Sequence, residues 1–178
     1  MKNLIIANCV ALLATELLPF GDAIIQRFAL FNVASPLFHS YQVFTYMFLH
    51  GGLSHLFFNM FALWMFGRQL EYELGSQRFL IYYMVCGIGA ALLQLGVGYA
   101  EWVHAVDVNG IYGAVNLLRI PTVGASGAVF GLLLAFGVLQ IGMSLKSHDP
   151  SQRANGMLTL AGGIVITFTK EILTLITG

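Results

Sequence analysis

Gly124-Ala125-Ser126-Gly127 ends a polar stretch and opens an apolar run over 126–143. A serine hydroxyl flanked by glycines can be approached closely by another backbone, and a helix beginning there offers free N–H groups to an anion. Packing uses the same spacing, because Gly127 and Gly131 form a small-residue pair of the kind that lets membrane helices touch. The tetrapeptide by itself is compatible with a nucleophile or with a helix contact. Four further apolar runs, 4–20, 53–72, 79–100 and 156–176, are long enough to cross a bilayer.

Composition agrees with a membrane setting. Of the 178 residues 58% are hydrophobic and 9% charged, at a mean hydropathy of +0.80, against roughly a quarter charged in a soluble domain. The expectation is an all-α polytopic bundle of five transmembrane helices, a single domain over 1–178. The first run could be taken for a signal peptide, but it lacks an A-x-A cleavage site and Glu16 interrupts it, so it reads as a retained anchor. Net charge is zero and no basic cluster occurs, which removes the electrostatic footprint of a nucleic-acid partner. Cys9 and Cys86 lie inside apolar runs and read as small core hydrophobes.

Orientation follows from the basic residues beside the spans. Lys2, Arg68, Arg78, Lys146 and Arg153 fall on one side, Arg27 and Arg119 on the other, so the N-terminus is expected in the cytoplasm. Glu101–Thr122 then forms an external loop. The segment 22–49 is also external, yet its apolar content predicts that it lies in or on the membrane interface. The run 126–143 measures ~27 Å at about 1.5 Å per residue, short of a ~30 Å hydrocarbon core, which places Ser126 below the outer surface in an enclosed or wet pocket.

His50-Gly51-Gly52-Leu53-Ser54-His55-Leu56-Phe57-Phe58-Asn59 begins the second span at that same external end. His55 and Asn59 are four apart and share a helical face, where unpaired polar groups are costly in lipid. They suit a hydrogen-bonding pocket at the depth of Ser126 or polar contacts that fix helix packing. A metal site fits poorly, since His50 and His55 are five apart and no carboxylate occurs between Thr45 and Asn59.

These residues, over about 41–134, resemble the rhomboid intramembrane serine proteases. His50, His55 and Asn59 match the family's H-x-x-x-x-H-x-x-x-N element, Gly67, Glu71, Gly75 and Ser76 match its cytoplasmic turn, and Gly124-Ala125-Ser126-Gly127 matches its G-x-S-G motif. The resemblance implies a serine endopeptidase, placed here in a bacterial inner membrane, that cleaves in or near transmembrane segments of substrate proteins. In it Ser126 is the nucleophile, and His55, Asn59 and the Ser126 amide bind the oxyanion. His50 braces the nearby loop by hydrogen bonding, while Gly124 and Gly127 support the turn. It requires no cofactor or metal.

Two departures stand out. Where many rhomboids carry Trp-Arg in the external loop, this chain has Tyr41-Gln42, which predicts a loop deprived of its fixing charge. The family core has six helices and draws its base from an Ala-His motif on the sixth; after Lys170 and Glu171 this sequence contains no histidine. The catalytic base is therefore unknown, expected on a helix this chain lacks, and the 178-residue form is expected to be inactive. His148 is expected on the cytoplasmic side, and His39 and His104 in external loops without an ordered partner. Lys170 offers a Ser-Lys dyad as a substitute, with a snorkelling or ion-paired lysine as the plain alternative. Against the protease stand a rhomboid-like pseudoprotease that binds transmembrane clients without cleavage, and a small transporter or channel, whose required polar path through both leaflets the sequence does not supply. Oligomeric state is open.

Overall fold

The computed structural model describes residues 1–147 and 150–167, the last six by backbone alone. In chain order these form α1 (Lys2–Leu17), α2 (Gly21–Phe28), α3 (Gln42–Thr45), α4 (Leu53–Leu74), α5 (Ser76–Ala114), α6 (Ser126–Ser147) and α7 (Pro150–Thr167). Strand pairing among the described residues is limited to one antiparallel bridge, Leu30 with Thr122. Helix α6 is central, packed on α5, α7 and α4.

Each long helix buries one stripe at helical spacing. In α1 it is Leu4, Asn8 and Leu12; in α4, Leu56, Asn59, Met60, Leu63, Gly67 and Leu70; in α5, Phe79, Tyr83, Gly87 and Ala91. The outer faces remain apolar, with Ile6, Val10, Phe57, Phe58, Val85, Leu92 and Leu93 all exposed. A helix apolar all round belongs in a protein core or a bilayer, and these outward faces have no protein over them. Lipid is as apolar as leucine, so the inner stripes hold the bundle by close packing and polar contacts rather than by escape from water.

Two helical stretches, Ser76–Arg119 and Ser126–Ser147, are long and apolar enough to cross a membrane among the described residues. The expected five-span pattern meets that measure only in part. At 16 residues α1 is short. Helix α4 has the length, 22 residues, but His55, Asn59, Arg68 and Gln69 dilute its apolar character. The polar first turns of α7 dilute it likewise, and the rest of the run to 176 lies outside the described residues.

Two expectations are corrected. Glu101–Thr122 is no open loop: α5 runs on to Ala114, interrupted only at Gly110 (φ +70°), and a 3-10 turn covers Val115–Arg119. Polarity ends a membrane span, not a helix, and no glycine or proline intervenes between Ala100 and Gly110 to stop it. Helix α6 continues to Ser147, so at 22 residues it is ~33 Å long, longer than the run 126–143 led one to expect.

The interfacial reading of 22–49 is altered too. Leu30, Tyr46 and Met47 enter the main core, and Ala29, Phe31 and Leu49 form a second cluster, while Phe28, Val33, Tyr41 and Phe44 stay exposed. Met47, fully buried, drops into the notch left by Gly87 on α5. The segment serves as a wall of the bundle.

Candidate active site

Two glycine turns deliver the polar residues to one place. Gly52 precedes α4 and Gly124 lies two residues before α6, each at φ +123°, a conformation L side chains rarely adopt. The first turn sets His55 at the start of α4, and the second sets Ser126 at the head of α6. A Cβ on Gly124 would lie 2.8 Å from both Cε1 and Nε2 of His55 and 3.8 Å from Ser126 Oγ. The imidazole edge therefore lies over the turn on the side of the serine, and Gly124 is required by backbone angle and by space.

The Gly51 amide donates to His55 Nδ1 at 3.3 Å. With Nδ1 accepting, the neutral ring carries its proton on Nε2, the atom over Gly124. His55 thus offers a donor beside Ser126 and has no free lone pair to act as its base. Ser126 is half-buried, and the first i→i−4 bond at this end runs from Val129 N to Ala125 O at 3.0 Å. The amides of Ser126, Gly127 and Ala128 precede it and are further donors at a helix N-terminus.

Asn59 lies one turn deeper on α4, buried, its Nδ2 donating to the His55 carbonyl at 3.0 Å. One amide hydrogen thus backs the helix. His50 packs edge-on against His55, ring centroids 5.1 Å apart, and is 2% exposed. Neither ring nitrogen makes a hydrogen bond of full geometry among the described residues, although the ring is close enough to the backbone at Phe48 to feel it, and its packing on His55 fills the turn. Burial and the neighbouring His55 lower its pKa to about 4, while the backbone at Phe48 pulls weakly the other way. It is neutral at physiological pH.

The loop before α4 is firmly tied despite lacking the Trp-Arg pair. Gln42, fully buried, donates through Nε2 to the carbonyls of Leu37 (2.8 Å) and Arg27 (3.3 Å), and its Oε1 accepts from Phe31 N at 3.4 Å. The missing charge is supplied from α2, where Arg27 lies over the Tyr41 ring (5.6 Å to its centroid) and bonds His39 Nε2 at 3.1 Å. His39 stacks on Tyr41 at 5.3 Å, so it has ordered partners, contrary to expectation.

Tyr46 is the residue that sequence reasoning missed. Its carbonyl accepts the Gly124 N–H at 3.0 Å, and its hydroxyl donates to Gly87 O at 2.8 Å. Burial pushes the phenol up to about 12, so the hydroxyl stays a donor. One side chain and one carbonyl thereby join the loop, the turn before Ser126 and α5. A backbone acceptor leaves no trace in residue type, although an aromatic five residues before α4's glycines was a visible hint of an anchor.

Gly127 and Gly131 both meet α5. A Cβ on Gly127 would run into Ala90 Cβ, and one on Gly131 into Cys86 Sγ and Cβ. The pair is thus a helix contact, and Ser126 gains its place because the next residue lets α5 come close. Among the described residues no group of three His, Cys, Asp or Glu could hold a metal ion.

A Rhomboid domain model matches residues 38–174. The chain belongs to the rhomboid family. Its rhomboid relatives include the rhomboid protease GluP of Bacillus subtilis, 34% identical over 93 residues, and the rhomboid protease AarA of Providencia stuartii, 31% identical over 104. Rhomboid protein 1, mitochondrial, of Saccharomyces cerevisiae is 37% identical over 92. These matches cover 52%, 58% and 52% of this chain, and 14%, 36% and 23% of the relatives' own lengths. Family and apolar helices together make this an integral membrane protein of a hydrolase family. Of the other candidates for the base, His104 is exposed on α5, while His148 and Lys170 lie outside the described residues.

Proposed function

We propose that this chain forms the core of an intramembrane serine endopeptidase acting on transmembrane protein substrates, five helices spanning the bilayer with the N-terminus in the cytoplasm. The observation that carries the reading is the pairing of Ser126, at a helix N-terminus, with a His55 whose proton is held on the nitrogen over the Gly124 turn. Attack by Ser126 Oγ forms a bond to the scissile carbonyl carbon and places negative charge on its oxygen. His55 Nε2–H, the Ser126 amide and the remaining Asn59 amide hydrogen are the donors for that charge. Collapse to the acyl-enzyme breaks the C–N bond and expels the amine, which departs carrying the proton the serine gave up, and water then releases the acid.

The serine proton needs an acceptor, and the acceptor on His55 is already taken by Gly51. That observation gives the second reading its weight: a client-binding pseudoprotease needs the pocket but no base. A fluorophosphonate probe tests the first reading. Labelling of an active form, in which a helix bearing Ala-His is supplied at the depth of Ser126, is expected to vanish in Ser126→Ala while helicity is unchanged. Labelling that persists removes Ser126 from the role. Binding of a transmembrane client with no labelling or cleavage in that extended form would favour the pseudoprotease.

A further inference from the structure

We propose that the end of the bundle opposite Ser126 carries a binding site for an anionic phospholipid, its phosphate held between Lys2 and Arg68. Arg68 lies 13 positions after His55 on the continuous helix α4, ~20 Å along its axis, so this site is separate from the candidate active site. There, α1, α4 and the start of α5 border an open groove of about 900 Å³ lined by Lys2, Arg68, Trp64, Ile5, Leu80 and Glu71.

Charge in the groove is unbalanced. The carboxylate of Glu71 is engaged, receiving the Met1 ammonium at 2.8 Å and the Ser76 hydroxyl at 2.9 Å on the same Oε1. Arg68 has no ion-pair partner among the described residues, and Lys2 reaches Glu71 only through a longer-range attraction, without a salt bridge. Even with the terminal amine set aside, two cations face one carboxylate, and an anion is the complement.

The apolar surroundings specify what that anion is attached to. Phe57, Phe61, Trp64 and Arg68 are spaced by four, three and four along α4 and share one exposed face. Phe57 and Phe61 stack at 6.0 Å, Phe61 and Trp64 follow at 6.3 Å, and Trp64 is 49% exposed at the groove wall. This row of rings, ~16 Å long and ended by a guanidinium, has the anatomy of a phospholipid: acyl chain along the rings, phosphate at the cations. A soluble phosphate would make no use of the aromatic row.

The test compares phosphatidylglycerol with phosphatidylcholine of identical acyl chains. Native mass spectrometry of protein from equimolar mixed bilayers is expected to show roughly tenfold preferential retention of phosphatidylglycerol. The preference should disappear in Lys2→Gln/Arg68→Gln, survive in Lys2→Arg/Arg68→Lys, and survive in Arg78→Gln, which removes a cation that does not line the groove. A second measurement leaves the cations intact: Trp102→Phe makes Trp64 the sole tryptophan, and acyl-brominated phosphatidylglycerol should quench it more than the brominated choline lipid. Equal quenching by the two lipids, a preference that outlives the double Gln change, or equal loss in Arg78→Gln would overturn the proposal. Displacement of the lipid by glycerol phosphate at equal concentration would reassign the site to a soluble anion.

Discussion

The tautomer of His55 and the neutrality of His50 govern the chemistry available around Ser126. Replacing His55 by Ala should lower the turnover of an active form by about 10²- to 10³-fold with little change in substrate binding, because its donor matters most as charge develops. A loss of binding at unchanged turnover would mark it as packing glue instead. His50 yields a prediction in pH. Its folded pKa, about 4, lies below the ordinary value near 6.5, so the unfolded chain binds the extra proton between the two. Stability should be flat above about pH 6.5 and fall as the pH drops toward 4. Denaturation in mild detergent across that window should lose most of this slope in His50→Phe, which keeps a flat ring against His55. An unchanged slope would assign the acid sensitivity elsewhere.

At the scale of helices, the contact between α5 and α6 sets the height and angle of Ser126. Gly131→Ala should cost about 1–3 kcal/mol, since the added methyl meets Cys86, and Cys86→Gly should recover much of that loss in the double variant. Strictly additive losses would show that the helices can move apart freely. The sequence made the existence of α1, α4, α5 and α6 legible, because an apolar run of bilayer length must hide its backbone polar groups in helix. It misjudged where α5 ends, since a drop in hydropathy reports the membrane boundary while backbone hydrogen bonding continues to Ala114. The loop before α4 was misread for a related reason. Arg27 replaces the expected charge from fifteen positions before Gln42, a substitution visible only once α2 folds back over Tyr41. Ser126, His55 and Asn59 stood out as candidates because polar side chains in apolar runs are conspicuous. Tyr46 was not, because its carbonyl's partner is a backbone amide.

For the molecule as a whole, the site is built at one end of the bundle by three segments that are distant in sequence, and regular helix accounts for only part of it. Thr122 and Leu30 exchange backbone hydrogen bonds at 2.8 and 3.0 Å, and two residues later Gly124 bonds to Tyr46. Functional loops are commonly drawn from the least stable parts of a protein. Here the coil leading to Ser126 is cross-tied on both sides, so in amide hydrogen exchange the peptides covering 29–32 and 121–125 should be protected like the helices. Those covering 108–119, where Tyr112 is 92% exposed, should exchange early. Fast exchange at Gly124 would break this picture. If the protection is found, the serine belongs to the last cooperative unit to open, and heating would abolish secondary structure and reactivity at one temperature instead of silencing the site first.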